Sequence, residues 1–497
     1  MSKILFLPVD ERFCTRDYFI HMASAAGLEV ITPEKRMLGM KKIQPDIYNL
    51  HNWVRKNISD VKHAIISMDM LIHGGLIPSR MSFDLPETLE NRMVILNELK
   101  KENIKVYASI CVTRSPFYDS AEEEPDYWQY FGKKLYDYSR EIVKKGVNIH
   151  KEGMELPQTD IPQWIVDDFI WRRQRNFKMI QKAIECVEEN TIDFLNLTLD
   201  DNSEGSMSLY EATLHQKLVD EKKLNDRVSI HAGADESTLT LLSRMLCDMT
   251  GANPKFKIEY LFPEYAEFIP AYEGRPLKEG LRCHVESAGG KVTEKNGDIL
   301  LAVNNPRRKE DGMSQTGDET HSDKCHDFVK KCNSSEGVRG YVNIRYTNGS
   351  DNVFIDKLLE SKPDWNITNI SGWNTAGNTI GTVCAHSIIQ FMISKGLIEG
   401  NIHKLRILQY IFLMEHWGFQ SNARKVLLDK ALNEKDSKPW SLIAIEGWAL
   451  ELTKNILKPY SERISDSLDI RIDGFELFFP WHRSFELGIK TKVQEAV

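Results

Sequence analysis

At 497 residues the chain exceeds one ordinary hydrophobic core and suffices for a large catalytic domain with an accessory one. Apolar residues at 41% and charged residues at 27% are globular proportions, which exclude a dominant disordered region. A net charge of −8, without any basic stripe, argues against nucleic acid or an anionic membrane as partner and favours a small or neutral ligand.

Short β-branched or apolar runs alternate with amphipathic stretches from the N-terminus onward, the pattern of βα units around a parallel sheet. The first run, 4–9, is shorter than a signal-peptide core, and nothing later approaches the roughly 20 apolar residues of a membrane helix. Strands are predicted near 4–8, 30–32, 64–68, 106–112, 194–199, 228–231, 258–261, 299–303, 342–345 and 367–370. Helices are predicted at 86–103, 171–190, 209–221 and 237–248, where apolar residues recur at three- and four-residue steps. The fold class is α/β, either a (β/α)8-barrel-like arrangement with extra strands or a doubly wound parallel sheet. The polar stretch 304–338 reads as a long mobile loop or lid.

Beyond about residue 375 the pattern turns helical, at 380–395, 403–416, 421–432 and 440–457. Strands return at 469–479 and 485–491, flanking Pro480-Trp481-His482-Arg483, as a terminal hairpin. The expected domains are therefore 1–375, α/β and catalytic, and 376–497, mainly helical with a closing β segment. The 8 cysteines are scattered and build no disulfide framework. A cytoplasmic protein, compatible with homo-oligomer formation, is the expectation.

In parallel α/β folds the site lies at the C-terminal ends of the strands, so polar clusters directly after apolar runs are its candidates. The first strand ends in Pro8-Val9-Asp10-Glu11-Arg12. The third ends in Ser67-Met68-Asp69-Met70 and runs into His73-Gly74-Gly75, where paired glycines permit close backbone approach. Leu199-Asp200-Asp201-Asn202-Ser203 is the most informative, because adjacent carboxylates repel and one then holds its proton more tightly. That suits one as general acid and the other as its ionised partner. The bland alternative is a cap on the helix starting near Ser206.

His231-Ala232-Gly233-Ala234-Asp235-Glu236 again carries acids into a helix start, where the helix dipole alone would favour them. Ser371-Gly372-Trp373-Asn374-Thr375-Ala376-Gly377-Asn378 combines an aromatic ring for a sugar face with amides for hydroxyls. Asn378 stands where a phosphate-loop lysine would be, which disfavours nucleoside triphosphates. Arg172-Arg173-Gln174-Arg175 opens a predicted helix against the dipole preference, hinting that one arginine serves an anion or carboxylate. His321, Cys325, His326 and Cys332 match no standard zinc spacing.

Together these clusters, with Gly372-Trp373-Asn374-Thr375-Ala376-Gly377-Asn378-Thr379 and the closing Phe479-Pro480-Trp481, resemble the bacterial family called domain of unknown function 4127, over nearly the whole chain. That resemblance implies no activity. A weaker one, resting on the Asp-Asp pair and a barrel-then-helices order, is to β-N-acetylglucosaminidases of the O-GlcNAc-removing type. It implies that Asp200 orients the substrate acetamido group and Asp201 is the acid/base.

The leading expectation is a glycosidase acting on a small N-acetylated amino sugar. Asp200 and Asp201 would be catalytic, and Asp10, Arg12, Asp69, Asp235, Glu236, Trp373, Asn374 and Asn378 would bind the carbohydrate, with no metal or cofactor. The alternative is a divalent-metal hydrolase of an amide or phosphoester using Asp10, Asp200, Asp235 and His231. A non-catalytic sensor is the third reading.

Overall fold

The structure, a computed structural model, describes residues 2–307, 321–438 and 441–493. The chain forms two compact units that interleave in sequence. The first comprises Met1–Glu11, Glu29–Leu241 and Tyr272–Arg275, and the second Arg12–Leu28, Leu242–Ala271 and Pro276–Val497.

The first unit is built on a six-stranded sheet: β1 (Ser2–Leu7), β2 (Leu28–Ile31), β3 (His63–Ser67), β4 (Lys105–Val112), β5 (Phe194–Leu199) and β6 (Val228–Ala232), in the order β2-β1-β3-β4-β5-β6. Successive pairs from β1 to β6 are parallel, with Ile66 opposite Ala108 and Ile110 opposite Leu197. Such strands are covered on both faces, which is why β5 is buried along its whole length and is mainly Phe and Leu, with Asn196 and Thr198 buried among them. Helices supply the cover: Met179, Ile180 and Ile184 of Gln163–Glu188 join Leu5, Ile66, Ala108 and Leu197 in one core. The strand order reverses between β1 and β3, and ligands of doubly wound sheets bind outside the strand C-termini at such a point.

The second unit has a five-stranded sheet, β7 (Lys255–Tyr260), β8 (Lys291–Val292), β9 (Ile299–Asn304), β10 (Val338–Asn343) and β11 (Thr368–Ser371), ordered β11-β10-β9-β7-β8 and parallel throughout. Its order reverses between β7 and β9. The helix Ala376–Ser394 packs on β10 and β11, with Gly340 so close that a Cβ there would meet Val383 at 2.6 Å. The stretch 376–497 thus belongs to a unit that also holds a parallel sheet, and the division at 375 is one of composition. A hairpin of β12 (Ile472–Phe478) and β13 (Gly488–Val493) ends the described chain.

Both sheets are open and doubly wound, so the barrel alternative is set aside. Every predicted strand is present; β8, at two residues, is too short to leave a periodic signal. Four helix expectations change, and the helix expected at 440–457 is found as Glu446–Leu468. The single helix at 86–103 is Pro86–Arg92 and Val94–Lys101, broken where Met93 donates to Glu90 and accepts from Leu96 across three-residue steps. The helix expected from 171 begins at Gln163. The expected break between 416 and 421 is bridged by π-helical turns over Leu413–Ala423. Of the loop expected over 304–338, residues 308–320 lie outside the described residues, while Ser322–Asn333 is helical. Among the described residues no helix is long and apolar enough to cross a membrane.

Candidate active site

The acids predicted at strand ends of the first unit gather along one sheet edge. Val9, Leu76 and Cys111 form a small buried cluster with Ala234 packed on it, which brings the residues beside Asp10, Asp69 and Asp235 around one apolar patch. Gly75, at φ 129°, supplies a backbone conformation that residues with a Cβ rarely adopt, where the chain passes the Val9 carbonyl. Leu199 and Gly233 form an isolated bridge that holds the β5 and β6 ends together.

Asp69 opens a π-helical turn, Asp69–His73, and is 3% exposed. Its carboxylate accepts the Cys111 backbone N–H at 3.1 Å. Burial pushes its pKa up to about 7 against that hydrogen bond and the field of Arg80. The folded state therefore holds a proton that the unfolded chain releases near pH 4, and stability attributable to this group falls as pH rises from about 4 to 7. Asp69→Asn should remove that dependence. The gap in unfolding free energy over wild type, measured by urea unfolding, is expected to widen from pH 4 to 7 and flatten above, reaching up to about 4 kcal/mol. A gap independent of pH would contradict the assignment.

The Asp200–Asp201 pair faces two guanidiniums. Arg80 Nη2 lies 2.8 Å from Asp200 Oδ2 and Arg80 Nη1 3.1 Å from Glu124 Oε1. Arg114 spans the cluster: Nη1 is 3.4 Å from Asp200 Oδ2 and 3.3 Å from Asp201 Oδ2, Nε is 2.9 Å from Glu124 and Nη2 2.8 Å from Glu123. The pair is left unequal. Asp200 takes both arginines, whereas Asp201 takes one, and burial together with the Asp200 charge raises the Asp201 pKa above the usual carboxylate range. Both side chains remain 22% exposed, so the pair is open to a ligand.

The helix-cap alternative falls away, because Ser206 itself caps Met207–Glu221, accepting from Leu209 N. Asp201 instead sits in the left-handed region at φ 41°, a conformation Asp tolerates better than most residues and one that recurs at functional sites. Tyr272 at φ 68° abuts it, its carbonyl accepting from Asn202 N. In the neighbouring loop the Glu236 carboxyl accepts from Ala234 N at 3.0 Å, and burial raises its pKa to about 8. Asp235 is buried beside it. His231 is buried with its pKa down at about 4.

The remaining candidates lie in the second unit, where each is engaged. Arg12 pairs with Glu486 at 3.4 Å and lies over Trp481 at 4.5 Å. Asn374, at φ 52°, accepts from Asn348 N through its carbonyl. Asn378 donates to Thr375 Oγ1 in the first helical turn. Trp373 is 5% exposed, stacked on His416 at 5.6 Å and bonded to Thr382. The open indole face expected for a sugar is taken up by packing, which corrects that expectation.

Sequence reading missed Arg80, Arg114, Glu123, Glu124 and Tyr118. The signal was available for most of them: Thr113-Arg114-Ser115 follows the β4 run directly, the same position that singled out the other loops. The arginine-rich segment expected at a helix start lies inside the helix Gln163–Glu188, so the dipole argument does not apply, and Arg173 grips buried Glu211 at 3.0 and 2.6 Å.

The model of the family described as protein of unknown function, DUF4127, matches residues 4–490. The chain belongs to the DUF4127 family. No curated protein matches this DUF4127 chain. Among solved structures, a complex of the virulence factor SghA with its substrate analog salicin is 10% identical, covers 70% of this chain and 74% of that one, and has a TM-score of 0.21. The cobalamin-dependent S-adenosylmethionine radical enzyme OxsB is 10% identical over 88% and 63%, at 0.19. A β-glucosidase from Thermotoga maritima is 11% identical over 61% and 66%, at 0.16. At such scores these likenesses carry no argument about the DUF4127 chain's chemistry, which rests on its own residues.

Proposed function

We propose that the protein is a hydrolase, a glycosidase acting on a small N-acetylated amino sugar, with Asp201 as general acid and Asp200 as its ionised partner. The observation that carries this reading is the unequal setting of two adjacent carboxylates: Asp200 receives two guanidiniums and Asp201, raised in pKa, receives one. Environments that separate two acids in this way assign the acid and base roles. Asp201 then protonates the departing oxygen, while Asp200 accepts from the acetamido N–H and steers its oxygen toward the anomeric carbon. No cofactor is required for these steps.

A metal-dependent hydrolase would use Asp200 as a ligand. The same two guanidiniums disfavour that, because they already supply the positive charge beside Asp200.

The test is hydrolysis of a panel of nitrophenyl glycosides, N-acetylhexosaminides of both anomers included, by wild type, Asp200→Asn and Asp201→Asn, with and without EDTA. Release by wild type that both substitutions suppress and EDTA leaves unchanged is the expected result. Silence on every sugar, or loss on adding EDTA, would overturn it.

A further inference from the structure

We infer that Phe117 and Tyr118, on the loop after β4, form the aromatic platform on which the apolar face of the sugar ring rests. This deepens the glycosidase reading and depends on it. Phe117 is 57% exposed and Tyr118 40%, with Lys133 Nζ 5.0 Å from the Phe117 ring centroid and the Arg114 guanidinium 5.8 Å from that of Tyr118, and Tyr118 stands beside the carboxylate pair. The Tyr118 hydroxyl accepts from Arg114 Nη2 at 2.7 Å, and Arg114 also holds Asp200 and Asp201. Phe117 meets Tyr136 edge-to-face at 5.0 Å. Tyr136 in turn lies 3.3 Å from Ser203 Oγ, two residues past Asp201. Tyr118 is thus tied to the reacting groups through Arg114, and Phe117, through Tyr136, to the loop that carries them.

A platform must be held still to orient a ring, and this loop is anchored. Lys133 N donates to Asp119 Oδ1 at 2.9 Å. Gly132 lets the helix Trp128–Lys144 approach so closely that a Cβ there would overlap the Tyr118 carbonyl. Glu123 and Glu124, farther along the loop, are fastened to Arg114. Exposed rings on a fixed backbone beside a polar pair suit a ligand with an apolar face and hydroxyls at its rim, which is a pyranose.

The test separates binding from turnover. Titration calorimetry with free N-acetylhexosamines is run on Asp201→Asn, alone and combined with Phe117→Ala, Tyr118→Ala or Tyr118→Phe, and each loop substitution is also assayed on the nitrophenyl substrate in the wild-type background. Phe117→Ala and Tyr118→Ala should each weaken binding about tenfold and raise KM more than they lower kcat. Tyr118→Phe, which keeps the ring, should recover most of the affinity lost in Tyr118→Ala. Phe117 is so exposed that its truncation leaves the fold intact, which circular dichroism verifies. Wild-type hydrolysis with unweakened binding in both alanine variants would overturn the platform and leave the glycosidase reading standing. A wild type that neither binds nor cleaves any sugar would overturn both.

Discussion

Replacing Arg173 with methionine is expected to destabilise the protein by about 3–5 kcal/mol, the range for breaking a buried ion pair from one side. Arg173 and Glu211 are 1% and 3% exposed, and two bonds join them. Burial alone would push the Glu211 pKa up, yet Arg173 and then His150 outweigh it and hold the carboxyl below its ordinary value. In the variant Glu211 keeps only His150, at 3.1 Å, and the burial cost stands largely uncompensated. The penalty should shrink as pH falls and Glu211 takes up a proton. Arg173→Met combined with Glu211→Gln should recover part of the loss, because no charge is then stranded. Urea unfolding measures all three, and a single-variant loss under 1 kcal/mol would refute the account. The effect extends to the site: Arg173 also donates to the Thr113 carbonyl at 2.7 Å and to Ser115 Oγ at 3.0 Å, the residues on either side of Arg114.

Asp201→Asn is expected to lower turnover by about 10²- to 10⁴-fold, the usual contribution of a general acid or base. Its signature distinguishes it from mere misfolding. A dinitrophenolate departs with little protonation, whereas methylumbelliferone needs help, so the loss should be larger for the poorer leaving group. The wild-type rate should fall as pH rises through the Asp201 pKa, which burial and the Asp200 charge hold above the ordinary carboxylate range, and this fall should vanish in the variant. Asp200→Asn should also be slow, but without the leaving-group dependence.

The fold was largely readable because strands covered on both faces are mainly apolar, and β5 or β9 shows this in six uninterrupted buried positions. β10 was misplaced by several residues because Arg339 and Gly340 break its run, although both are buried. Open and closed sheets share one alternation of strands and helices, so only the strand order separates them. The acids were visible at strand ends, but their partners were not. Arg80 comes from the helix Leu76–Met81 and meets Asp200 from 120 positions away, a pairing no local pattern encodes. Trp373 misled because a Trp between Gly and Asn looks the same whether it lines a pocket or stacks on His416.

The most direct measurement is the ratio of wild-type to Asp201→Asn rates on a methylumbelliferyl and a dinitrophenyl N-acetylhexosaminide. A ratio at least about tenfold larger for the poorer leaving group is the result expected if Asp201 is the general acid of a glycosidase. Equal ratios, or a wild type that cleaves neither, would contradict it.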